Sequence, residues 1–189
     1  MIVISGYTVN TKYEEEVKDL EEGLNKYGVP YKLYPYESRG TWIRNTMVKA
    51  ELIQQGLNEH PNEDVIWIDA DAVVHSRPDL FFELKNHNFD LCCHYLRTHY
   101  NPNELLSGTF VYRNNDKVKQ LVDDWVNDKE VNWDQKKLQR LIEGRDLKIM
   151  PLPYEYIKIN RRGQDIRNLQ CIIGHKQLSR TEANYNDYS

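Results

Sequence analysis

Two acids stand at the end of an apolar run in this chain: Asp69 and Asp71 close the segment DVIWIDADA, residues 64–72. Read as one strand over Asp64–Ala72, a spacing of two puts both carboxylates on the same side. Burying two like charges without compensation costs several kcal/mol, and a divalent cation is the usual remedy. Carboxylate oxygens suit Mn²⁺ or Mg²⁺, hard ions commonly shared with substrate phosphates, so a bridging diphosphate is the natural ligand. The alternative is a strand end that simply enters a solvated loop. The flanks favour the ion, because VIWI leads in and AVVHSRPDLF returns the chain to apolar and then turn residues.

Such acids need a frame, and strand and helix patterns alternate to provide one. Ile2–Ile4, Tyr31–Tyr36, Phe89–Leu96, Gly108–Tyr112 and Leu147–Met150 read as strands. Thr11–Tyr27 carries Tyr13, Val17, Leu20 and Leu24 at helical spacing, and Trp42–Leu57 carries Ile43, Met47, Ala50 and Ile53. Shorter helices are predicted around Leu80–Leu84, Asp116–Val126 and Asp134–Ile142. This alternation implies βαβ units and a parallel sheet covered by helices, whose ligands bind outside the carboxyl ends of the strands. The ends to inspect are Gly6–Thr8, Tyr36–Arg39 and Asp69–Asp71.

Composition bounds the answer. The chain has 189 residues, 40% hydrophobic and 11% aromatic, with a net charge of −4 and a pI near 5.9. That fits one domain with a real core, and it excludes a disordered or low-complexity chain. The acidic balance argues against nucleic-acid binding by net charge. The apolar runs are too short for a membrane span, and the N-terminus opens straight into a strand pattern without a leader. Cys92, Cys93 and Cys171 lack zinc spacing and read as reduced, buried thiols, which suggests a cytoplasmic setting.

The stretch DVIWIDADAVVHSRPDLF resembles the DxD region of GT-A nucleotide-diphospho-sugar transferases, most of all small glycogenin-like members, and the resemblance runs over roughly residues 2–180. Ser5–Thr8 matches a first strand that carries nucleotide contacts. Ser107-Gly108-Thr109-Phe110 matches a later S-G-x-F strand, Asp134-Gln135 a helix opening on D-Q, and His175 in CIIGH a final histidine that completes the metal shell. The resemblance implies a single GT-A (Rossmann-like) α/β domain over residues 1–180, with a mixed, mostly parallel central sheet flanked by helices, and a polar tail over 181–189.

It further implies that Asp71 binds the metal directly, that Asp69 touches metal or ribose, and that His175 is the third ligand, imidazole suiting Mn²⁺. Tyr7 and Thr8 would meet a uracil-like base, with the Tyr7 ring free to stack. Arg39 and Lys49 are candidates for ribose or phosphate, while Ser107 and Gly108 would line the sugar pocket. The segment from Lys158 to Arg180 holds six Lys and Arg against one acid. Lys176 and Arg180 in it are candidates to neutralise the leaving diphosphate; Arg161, Arg162 and Arg167 could instead meet an anionic acceptor. Asp134 and Gln135 would serve the sugar side, with Asp134 a base or a polar support, unless it only caps its helix. The loop Arg97–Glu104 is a candidate cover for donor or acceptor.

The expected activity is hexosyl transfer from a nucleotide sugar, with UDP the expected nucleotide, to a glycan, protein or modified nucleic acid. The resemblance leans towards retention of configuration. A nucleotidyltransferase is the rival enzyme class, but SGYTVNTKYEE lacks the glycine-rich phosphate loop it would want. A non-catalytic nucleotide-sugar-binding module is the third reading, and Asp69, Asp71 and His175 speak against it.

Overall fold

A computed structural model describes residues 1–96, 103–130, 132–159 and 170–180. The chain opens with β1 (Ile2–Thr8), α1 (Lys12–Lys26), β2 (Tyr31–Tyr36), α2 (Trp42–Glu59) and β3 (Val65–Ile68). β4 (Ala72–Val74), α3 (Asp79–Glu83), β5 (Leu91–Leu96), β6 (Glu104–Tyr112), α4 (Asp116–Asn127) and α5 (Asp134–Glu143) follow. Three short strands end the described chain: β7 (Ile149–Pro151), β8 (Lys158–Ile159) and β9 (Ile173–His175).

The main sheet has the order β2-β1-β3-β6-β5-β7. β1 is parallel to both β2 and β3, β6 is antiparallel to β3 and β5, and β7 is parallel to β5, so β6 alone runs against the rest. This is the expected mixed, mostly parallel sheet with helices on its faces. Strand order reverses at β1, since α1 leads to one side of it and α2 to the other. Ligands of such sheets bind at that switch point.

Alternation along the strands sorts side chains into two cores. Ile4, Val65, Trp67, Phe110 and Tyr112 face α2, α4 and α5, where they meet Val48, Ile53, Leu121, Trp125 and Leu138. Val3, Ile66, Ile68 and Val111 face the opposite way, onto Leu20, Leu24, Phe81 and Ile173. Each fully buried Val, Leu, Ile or Phe among them contributes about 1.5–3 kcal/mol. The helices start where their sequences provide caps: Thr11 accepts from the Tyr13 N–H, Thr41 from Arg44 and Asn115 from Val118.

One expected strand divides. Asp64–Ala72 is not continuous: the Asp69 N–H makes its bond to the Gly108 carbonyl at 2.8 Å, and then the Ala72 N–H turns back to the Asp69 carbonyl at 3.0 Å. β4 beyond that turn joins a separate small sheet, β4-β9-β8, antiparallel to β9. The acids therefore sit on a turn, not on the alternation of one strand. β6 begins earlier than expected, at Glu104. Cys92 and Cys93 are buried thiols as expected, whereas Cys171 is only half-buried. The tail over 181–189, most of the loop at 97–104, and Arg161, Arg162 and Arg167 lie outside the described residues.

Candidate active site

The turn that splits the acidic strand brings its two carboxylates to the His175 imidazole. β9 pairs with β4 so that His175 stands opposite Ala72. One oxygen or nitrogen from each of Asp69, Asp71 and His175 lies within 4.8 Å of the others. Asp69 Oδ1 accepts from the Trp67 indole N–H at 2.6 Å and pairs with Lys49 at 2.9 Å, while no partner occupies Oδ2 among the described residues. Asp71 Oδ2 accepts from the Leu178 N–H at 2.8 Å, and its Oδ1 lies 3.8 Å from His175 Nδ1. His175 Nε2 meets the Thr109 hydroxyl at 2.9 Å. With Nε2 tied to Thr109, Nδ1 is the nitrogen turned to the acids, the outer-sphere support metal-binding histidines usually have.

Gly108 makes this convergence possible. A Cβ there would come within 2.9 Å of His175 Cε1, 3.1 Å of its Nδ1 and 3.3 Å of Asp69 Oδ2, so any side chain would push the ligands apart. The electrostatics also suit a cation. Burial pushes the Asp69 carboxyl above its ordinary value against the pull of Lys49. Burial acts the same way on Asp71, but the hydrogen bond and charge of His175 and the Leu178 N–H prevail and hold it below. Two carboxylate oxygens and an imidazole nitrogen form a donor set that fits Mn²⁺ or Mg²⁺.

A second cluster adjoins the first through Lys49 on α2. Its ammonium pairs with Asp134 Oδ2 at 2.7 Å as well as with Asp69, and it donates to the Ser107 hydroxyl at 3.3 Å. Burial alone would lower the Lys49 pKa, yet Asp134 and Asp69 outweigh it and keep the group protonated. Asp134 accepts from the Ser107 hydroxyl at 3.3 Å. The capping role open in the sequence is not what the structure shows: Trp133 holds the N-cap position of α5, and the Asp134 carboxylate turns to Lys49 and Ser107 instead. Gln135 accepts from the Ser107 N–H at 3.4 Å and donates to Glu104 at 3.2 Å.

These groups line one cavity of about 280 Å³, together with Thr8. The structure thus brings Thr8, Lys49, Asp69, Asp71, Ser107, Gly108, Asp134, Gln135 and His175 together. It does not bring in Tyr7, Arg39 or Lys176. Gly6 and Thr8 face the cavity, and strand alternation turns Tyr7, between them, to the other side. The Arg39 guanidinium forms a fork with the Glu51 carboxylate at 2.6 and 2.7 Å, and Lys176 is held by Glu16 and Asp19 of α1. The Arg180 side chain is not among those described. Of five aromatic residues of the wall, Tyr36 stood at a strand end singled out from the sequence, while Tyr13, Trp42, Trp67 and Trp133 were not expected at the site. Tyr36 ends a parallel strand and Trp42 opens a helix beside it, and those positions were the available signal.

No protein-family model and no curated protein matches the sequence. Solved structures do. A glycosyltransferase involved in glycosylation of the major capsid of PBCV-1 superposes with a TM-score of 0.71 at 15% identity, covering 100% of this chain and 98% of its own. The chain has the GT-A glycosyltransferase fold. The galactosyltransferase LgtC, solved with donor and acceptor sugar analogues, gives a TM-score of 0.55 at 9% identity over 93% of this chain and 86% of its own. The Streptococcus pneumoniae TIGR4 glycosyltransferase GlyE gives 0.57 at 14% over 82% of this chain, which spans only 45% of that larger protein. In this GT-A fold, Asp69, Asp71 and the Lys49–Asp134 pair stand at the carboxyl ends of β1 and β3, the switch point of the sheet.

Proposed function

We propose that this protein is a metal-dependent glycosyltransferase that moves a hexose from a nucleoside-diphosphate sugar, UDP the expected carrier, to an acceptor hydroxyl. One observation carries the reading: Asp69, Asp71 and His175 each offer one ligand atom within 4.8 Å of the others, beside an aromatic-walled cavity that also holds the Lys49–Asp134 pair. Mn²⁺ or Mg²⁺ held by those three groups would supply positive charge to the diphosphate as it departs. Tyr13, Tyr36 and Trp42 offer ring faces for a base or sugar, and Thr8 a hydroxyl.

In the transfer, an acceptor oxygen bonds to the anomeric carbon. The bond from that carbon to the diphosphate oxygen breaks, its electron pair staying with the diphosphate. Asp134 is the group for the acceptor proton: its Oδ2 is anchored by Lys49 and Ser107, and no partner occupies its Oδ1 among the described residues. Lys49 keeps Asp69 and Asp134 apart in charge and in place, so both are set before substrate arrives. Gln135, fixed by Ser107 and Glu104, borders the same space. The buried thiols Cys92 and Cys93 support placing the enzyme in the cytoplasm.

Thermal unfolding with UDP, with Mn²⁺ and with both is the test. Ligand at a hundred times its Kd adds about 2.7 kcal/mol. A rise in melting temperature that requires both partners is expected; an equal rise from UDP in the presence of a chelator would remove the metal from the reading.

A further inference from the structure

A second hollow, of about 430 Å³, adjoins the cavity just described. Gln135, Lys136, Gln139 and Arg140, one stripe of α5, line it together with Glu104 and Trp133. Glu104, Trp133 and Gln135 line both spaces, so the two meet along those residues, next to Asp134. A molecule seated there would present its end to the Asp134 carboxylate.

Chemistry of the lining selects the molecule. Its polar groups are mostly planar amides and carboxylates, which pair with neighbouring sugar hydroxyls, and its one aromatic is an indole. The Trp133 indole N–H is shut from solvent and finds no acceptor among the described residues. The two cations are already engaged: Arg140 pairs with Asp128 and with Glu130 at 2.9 Å, and the Lys136 ammonium lies over the Trp133 ring at 4.7 Å. Beyond those pairs stand two further acids, Glu104 and Glu143. A phosphate-bearing chain would meet an acidic wall with its cations neutralised, whereas an uncharged sugar meets donors and acceptors of both kinds.

We propose that this second hollow is the acceptor subsite and that it takes an uncharged oligosaccharide. The inference rests on the glycosyl-transfer reading above and narrows its acceptor, setting aside nucleic acid and phosphorylated glycans.

The test uses the full chain labelled with 15N-tryptophan, the Trp133 indole resonance being assigned by Trp133→Phe. Lactose, cellobiose and chitobiose serve as neutral probes, and glucose 6-phosphate and a short oligodeoxynucleotide as anionic ones. At least one neutral disaccharide should shift the Trp133 resonance saturably, and the anions should not. Lys136→Ala combined with Glu143→Ala, both on the exposed face of α5, should weaken that response by about tenfold. Binding of UDP with Mn²⁺, measured on the same samples, should stay unchanged. Silence from every neutral probe, a shift from the anions instead, or indifference to the double variant would overturn the proposal. Failure of UDP to bind would count against the nucleotide-sugar reading, while UDP binding with no glycan response would count against this subsite alone.

Discussion

Asp71 is held by the Leu178 N–H and His175 by the Thr109 hydroxyl, and each contact yields a test. Asp71→Asn keeps an oxygen for the Leu178 N–H but loses the charge, so nucleotide binding should cease to depend on Mn²⁺ while the melting temperature without ligand hardly moves. Thr109→Val removes the hydroxyl that holds His175 Nε2. Outer-sphere losses of this kind cost roughly 10–100-fold in metal affinity. Calorimetric titration with Mn²⁺ should show that loss, and Thr109→Ser should restore it; an unchanged affinity in the Val variant would make the contact mere packing. Lys49→Met leaves the buried Asp134 without its cation, and removing one partner of a buried pair costs about 3–5 kcal/mol. Urea unfolding should show it as a lowered midpoint. At this scale the acid pair was legible because its signal is local: two carboxylates closing an apolar run. The partners of Lys49 were not, since nothing in a helical lysine announces that it is clamped between an acid of the turn after β3 and one of α5. Tyr7 misled because neighbouring strand residues point to opposite faces, so Tyr7 and Thr8 could not both face the cavity.

Among the elements, α4 is tied to the sheet by one buried carboxylate. Asp90 accepts from Asn115, the N-cap of α4, at 2.7 Å and from the Lys148 N–H at 2.8 Å. Burial would raise its pKa, but those two bonds and the nearby lysines depress it below the ordinary carboxylate value. A depressed acid stabilises the fold above its unfolded pKa, and that stability is lost as pH falls through the folded pKa. Asp90→Ala should therefore cost about 1–3 kcal/mol near neutral pH, and less in acid. Urea midpoints at the two pH values check this; a cost equal at both would assign the effect to packing alone. The helices were readable because amphipathic spacing and caps such as Thr11, Thr41 and Asn115 are written locally. The break in Asp64–Ala72 was not, because β4 leaves the main sheet to pair with β9, a partner about a hundred residues on.

At the scale of the molecule, two cores clamp the sheet, and the small β4-β9-β8 sheet closes one corner of the cavity with His175. The alternation of strands and helices made the mixed, mostly parallel sheet legible. It could not show that β6 alone reverses, since direction within a sheet depends on which strands become neighbours. That reversal brings Ser107, Gly108 and Thr109 of β6 alongside the acids, so one strand serves the Asp–Asp–His corner and the Lys49 cluster together. All of this converges on one claim, that two acids of the turn after β3 and a histidine of β9 hold a divalent ion. Crystals grown with UDP and MnCl₂, measured at the manganese absorption edge, address it directly. The account predicts an anomalous peak bounded by Asp69, Asp71 and His175, with the diphosphate against it. Nucleotide in the cavity and no manganese among those three residues would contradict it.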